Sequence, residues 1–167
     1  MKKLILFSAL VFMIGCEEKE PSADKLFDYN DIELLKLTNL DGFWVNNSEI
    51  DISYHFGVVI ESDSGFIGGI RLNSESNEIE IVVFNTQSNA INCMEEIIRS
   101  SSAVIVKGNS DVIKGSWWYT LSKYGVWVNR NNTLISVSSS NANYEGAEDI
   151  IHATANEVAK RVDNLSR

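Results

Sequence analysis

The sequence predicts an α+β fold: a largely antiparallel sheet of about six to seven strands with helices packed on it. Three observations carry this expectation. Runs in which apolar and polar residues alternate recur between residues 54 and 139, the period of a half-buried strand. Two segments, one to about Ser100 after a Ser88 or Asn89 cap and one after Tyr144 to about Leu165, instead space their apolar residues at helical intervals. Short polar connections such as Arg130-Asn131-Asn132 separate several strand candidates, so neighbours in sequence should pair as hairpins.

Taken in order, the domain should begin near residue 30. Asn30 or Asp31 is placed to cap a helix through Leu40, with Ile32, Leu34, Leu35 and Leu37 giving it a broad apolar side. Asp41-Gly42 ends it. From Phe43 the period changes to two: Tyr54, Phe56, Val58 and Ile60 alternate with His55, Gly57 and Glu61. Ser62 to Gly65 turns the chain. Phe66–Leu72 and Glu78–Thr86 are two further strands around the polar loop Asn73 to Asn77. In the second strand Ile79, Ile81 and Val83 face one way, and Glu78, Glu80, Val82 and Phe84 the other. A Ser88 or Asn89 cap then starts a helix to about Ser100, with Ile91, Met94, Ile97 and Ile98 inward.

The second half follows the same logic. Ala103–Lys107 is a short strand and Gly108 to Gly115 a polar loop. Ser116–Leu121, Gly125–Asn129 and Thr133–Ser139 then form a meander joined by tight turns. A closing helix to about Leu165 aligns Ile151, Ala155, Val158, Val162 and Leu165 opposite Glu148, His152, Asn156 and Lys160. The order is αβββα-ββββα. Two strand-then-helix closures, IEIVVFNT before Gln87 and TLISVSSS before Asn141, look alike and raise the question of an internal duplication.

The first residues have a different character. Lys2 and Lys3 give a positive start, and Leu4 to Ile14 is an apolar run of about eleven residues. That length suits a secretory signal and falls short of the roughly 20 residues that span a bilayer. Gly15 stands directly before Cys16, and Glu17-Glu18-Lys19-Glu20 follows. Met13-Ile14-Gly15-Cys16 resembles the lipobox of bacterial lipoproteins, with Met13 where leucine is usual. The resemblance implies cleavage before Cys16, acylation of its sulfur and attachment of the protein to a membrane by its first mature residue. Two or three acyl chains on one cysteine hold stably, whereas a single chain holds only marginally. Glu17 rather than aspartate after the cysteine implies the outer membrane if the cell has one. The acidic run is similar to surface-export signals of some Bacteroidetes lipoproteins. On this reading residues 1–15 are a leader, 16–29 the acylated cysteine and tether with the only proline, Pro21, and 30–167 a single α+β domain. The element order is also similar to the PsbP-like α/β/α sandwich of several small bacterial lipoproteins.

Composition bounds the function. The 167 residues carry 14 basic and 23 acidic side chains, a net charge of −9. Losing Lys2 and Lys3 with the leader would take that to −11. No basic stripe exists for nucleic acid, and the acidic chain repels anionic headgroups, so membrane attachment should depend on the acyl chains. Cys16 and Cys93 are the only cysteines. With Cys16 acylated no disulfide forms, and Cys93, beside Ala90 and Ile97 at helical spacing, should be a small buried residue.

The sequence contains no Gly-rich phosphate loop, no HExxH, no CxxC and no Gly-x-Ser-x-Gly. With only His55 and His152, a three-histidine metal site is impossible. No catalytic residue, metal or cofactor is expected. His152 reads as an exposed helix partner of Glu148, His55 as a half-exposed strand residue, and Asp63, Glu78 and Glu80 as a solvated face. The aromatic group Trp117, Trp118, Tyr119, Tyr124 and Trp127 is the feature least accounted for by packing. Alternation sets Trp117 and Tyr119 against Trp118. Trp118, Trp127 and Tyr124 are therefore a candidate binding surface if helices leave that face open.

The expectation is a lipid-anchored cell-envelope protein acting as a non-enzymatic binding or interaction module for a protein, peptide or small molecule. Two alternatives stand beside it. One is an envelope hydrolase with a carboxylate site, favoured by Asp and Glu gathered in one cleft. The other is an assembly subunit of an envelope complex, favoured by a large exposed apolar patch.

Overall fold

The computed structural model describes residues 25–40, 48–49, 65–74, 76–100, 104–109, 114–119, 124–140 and 147–167. The leader, Cys16, most of the tether, the strand expected at 54–60 and most of the lead-in to the closing helix lie outside them.

The protein is α+β with an antiparallel sheet. Among the described residues the strands are β1 (Ser48–Glu49), β2 (Phe66–Asn73), β3 (Asn77–Phe84), β4 (Val104–Asn109), β5 (Lys114–Tyr119), β6 (Tyr124–Arg130) and β7 (Thr133–Ser139). They lie in the order β1-β2-β3-β7-β6-β5-β4, each pair antiparallel. Hairpins build each half, and the long-range β3–β7 pairing joins the halves, with Ile81 opposite Ile135. Helix α1 (Gln87–Ser100) follows β3, and α2 (Ala147–Leu165) follows β7.

The helices cover opposite faces. On one face Ile79, Ile81, Val83, Val126, Val128, Ile135 and Val137 pack against Ile151, Ala155, Val158, Ala159 and Val162 of α2. On the other Val82, Phe84, Trp127 and Leu134 pack against Ala90, Cys93, Met94 and Ile97 of α1. This is the alternation read for β3, in which neighbouring residues serve different layers. It also answers the duplication question. With the α1 face toward the viewer and β3 running upward, β2 lies on one side and the helix in front. Turned in plane so that β7 runs upward, β6 lies on that same side but its helix is behind. The two closures have opposite hand, which copies of one unit would not have.

The opening helix departs from expectation. Tyr29–Leu35 and Leu37–Asn39 are short 3-10 helices, broken at Lys36, which adopts φ 48°. Three residues per turn put Ile32 and Leu35 on one side, both buried, and leave Leu34 half-exposed. The cap is Asp28, whose carboxylate accepts the Asn30 backbone N–H at 2.9 Å. In the second half the polar loop is shorter than its composition suggests. Gly108 pairs with Gly115 and Asn109 with Lys114, extending the β4–β5 hairpin into the polar residues.

Candidate functional site

The N-terminal segment 25–40 is a strap across one end of the α2 face. It contributes Phe27, Ile32, Leu35, Leu37 and Leu40 to the core. Asn132, in the β6–β7 turn and 1% exposed, fastens it. The Asn132 side chain accepts the Phe27 N–H at 2.7 Å and donates to the carbonyls of Phe27 at 3.0 Å and Phe84 at 2.5 Å. The Phe84 N–H in turn donates to the Asn132 carbonyl at 2.8 Å. One side chain thus joins the strap, the end of β3 and a hairpin turn. Leu26 exchanges two backbone hydrogen bonds with Arg167, at 3.0 and 3.1 Å. Further along, the Arg161 guanidinium of α2 donates to the carbonyls of Leu35 and Lys36, each at 2.9 Å, closing the end of the first 3-10 helix.

Between this strap and the end of the sheet where β2 begins and β3 ends lies a cleft of about 410 Å³, within the usual size range of small-molecule sites. Leu26, Tyr29, Asp31, Ile67, Asn85, Leu165 and Arg167 contribute to its walls. The sheet shapes it in two ways. A register shift between Phe66 and Gly68 leaves Ile67 at a bulge, 50% exposed. Gly68 lies directly under the Tyr29 ring, where a Cβ would come within 2.6 Å of ring carbon. Any larger residue at 68 would displace the ring and reshape the cleft. Leu26 is 41% exposed at the rim. Inside, the Asp31 carboxylate is about one-fifth exposed and lies 3.4 Å from the Arg167 guanidinium, which is 82% exposed.

The aromatic residues fall elsewhere. The register sets position 118 opposite Gly125 and on the same face as Trp127, with 117 and 119 on the other, as alternation predicts. Position 124, opposite 119, falls on that other face too, so Tyr124 does not share one surface with Trp118 and Trp127. Trp127, however, is only 4% exposed and sits in the α1-side core with Phe84, Met94 and Leu134. The premise of an open face fails at Trp127 because α1 covers it. Trp118 and Tyr124 belong to β5 and β6 by backbone, and their side chains lie outside the described residues, as does His55. Glu80 also departs from the solvated face. It is 3% exposed and accepts Arg71 Nε–H at 2.5 Å, an ion pair bridging β2 and β3. Strand alternation identifies its side but not the depth to which neighbouring elements bury it. The strap cleft itself left little trace in the sequence. Asn132 read as a turn residue and Ile67 as an ordinary strand position.

Among the described residues Cys93 and His152 have shifted equilibria that bear on pH dependence. Burial, assisted by the nearby Glu96 carboxylate, pushes the Cys93 thiol up to about 11. Cys93 is buried and free, the packing role its neighbours indicated. Because the folded chain keeps a proton that the unfolded chain loses, stability should fall as pH rises from about 9 to about 11. A thiol reagent should modify Cys93 only as fast as the protein opens, and modification of the native protein within seconds at pH 8 would contradict this burial. Burial lowers the His152 pKa, against the opposing charges of Glu148 and Asp149. Its contribution to stability is thus present above about pH 6.5 and is lost as pH falls through the folded value. Among the described residues no group of three or more His, Cys, Asp or Glu side chains is gathered as metal ligands, and no helix is long and apolar enough to cross a membrane.

No protein-family model matches the chain, and no curated protein does. Among solved structures the extracellular domain of PknH from Mycobacterium tuberculosis is similar in fold, with a TM-score of 0.52, 9% identity, and coverage of 83% of this chain and 98% of that one. A GTP binding regulator from Thermotoga maritima aligns at a TM-score of 0.47 and 13% identity, over 80% of this chain and 87% of its own.

Proposed function

We propose that this protein is a lipid-anchored cell-envelope binding module that holds a small ligand in the cleft beneath its N-terminal strap. The observation that carries the binding reading is the cleft itself, with Leu26 and Ile67 exposed on its rim. Two aliphatic side chains bordering one concave site mark a surface that gains from being covered. The anchoring half of the reading rests on the lipobox-like residues Met13 to Cys16. Leu26 follows Cys16 by ten residues, so the tether allows the cleft at most roughly 35 Å from the acylated residue. That the same fold serves as an extracellular domain in PknH is compatible with a life outside the cytoplasm, and Glu17 favours the outer membrane of a Gram-negative cell.

Two measurements test the halves separately. Cys16→Ala should abolish metabolic labelling with a fatty acid and release the protein from the membrane fraction. Persistent labelling of the variant would end the lipoprotein reading. For the cleft, a fragment library screened by ligand-observed NMR on the full chain should yield binders that Ile67→Arg displaces. Binders indifferent to that substitution would place the site elsewhere.

A further inference from the structure

We infer that the cleft under the strap selects cationic amphiphiles, small molecules that carry an ammonium or guanidinium on an apolar body. The inference rests on the cleft reading above and adds its charge selectivity. Asp31 is the central observation. Its carboxylate is about four-fifths buried, yet the cation that faces it, the Arg167 guanidinium, is 82% exposed at 3.4 Å. That separation is long for a charge-assisted hydrogen bond. A side chain so exposed keeps most of its rotamer freedom and gives way to a better-held cation at small cost. Arg167 thus stands where a ligand's positive group would sit.

The remaining walls fit the same chemistry. The Tyr29 ring is held in place over Gly68, and an aromatic ring is a favourable neighbour for a cation. Leu26 and Ile67, exposed on the rim, provide apolar area for the ligand's body. Asp28, a second carboxylate in the lining, already accepts the backbone and side-chain N–H groups of Asn30, so it adds negative potential rather than a free acceptor. Among the described lining residues an anionic ligand would meet two carboxylates, Asp28 and Asp31, against one cationic side chain, Arg167.

The experiment is saturation-transfer NMR on the full chain in detergent micelles, with empty micelles subtracted. The probes are benzylammonium, benzyl alcohol and benzoate, which share a ring and differ in charge. Benzylammonium should bind about fivefold more tightly than benzyl alcohol, with benzoate weakest. Asp31→Asn should abolish the preference while leaving the alcohol's binding in place. Arg167→Ala removes the competing cation but keeps the backbone pairing with Leu26, so it should tighten benzylammonium binding. Equal affinity for the three probes, or weaker benzylammonium binding by Arg167→Ala, would overturn the charge selectivity and leave the cleft reading standing. Silence of all three probes would overturn the cleft reading and this inference with it.

Discussion

Replacing Asn132 with alanine should cost about 3–5 kcal/mol of folding stability, a large effect for a single turn residue. The side chain is 1% exposed and makes hydrogen bonds to the N–H of Phe27 and to the carbonyls of Phe27 and Phe84. Alanine would leave three backbone groups without these partners in a place that water reaches poorly. Each buried group so abandoned costs about 1–3 kcal/mol. The loss should also be regional. Amide exchange should rise first in residues 26–40, because Asn132 ties the strap to the sheet, while the β6–β7 pairing persists. Asn132→Asp should fare no better, since a carboxylate cannot donate to the two carbonyls and would carry a buried charge. Urea denaturation gives the magnitude. A loss below about 1 kcal/mol would mean that the strap draws its stability from Phe27, Ile32 and Leu35 alone.

Trp127→Ala should cost a comparable amount, about 3–5 kcal/mol. Trp127 is 4% exposed and lies where α1 meets β3, β6 and β7, against Phe84, Ala90, Met94 and Leu134. Truncation would empty the centre of the smaller of the two cores, and a neighbourhood fixed by four elements relaxes only partially into the space. Trp127→Phe keeps most of the ring area and should lose far less. Ile67→Ser, at a half-exposed bulge, provides the contrast and should stay within about 0.5 kcal/mol of the native protein. Thermal melts of the three variants rank them. A mild Trp127→Ala phenotype would return this residue to the binding surface that its composition suggested.

The reach of sequence reading differs from element to element. In β3 the alternation of Ile79, Ile81 and Val83 with Glu80, Val82 and Phe84 assigned faces that the structure shows. That succeeded because a strand's period of two leaves no freedom in which side a residue takes. For the strap, four apolar residues between 32 and 37 fitted an α-helix as readily as the 3-10 geometry that formed. The choice fell to tertiary contacts, since Arg161 and the left-handed Lys36 close the turn early. At Trp127 the side was legible and the cover was not.

What the sequence determined by itself, then, is local and periodic: the α+β class, the hairpins, the faces of β3, the amphipathic side of α2 and the Cys93 packing position. These follow from short-range geometry, in which each residue's neighbours lie within a few positions along the chain. The tertiary structure decided the rest. It joined β3 to β7 and placed α1 and α2 on opposite faces. It buried Glu80 against Arg71 and brought Phe27, Phe84 and Asn132 together across 105 and 48 positions of sequence. The cleft exists only because Leu26 meets Arg167 and Tyr29 meets Gly68. Contacts of that span depend on how hydrophobic faces pack in three dimensions, which no local period in the sequence encodes.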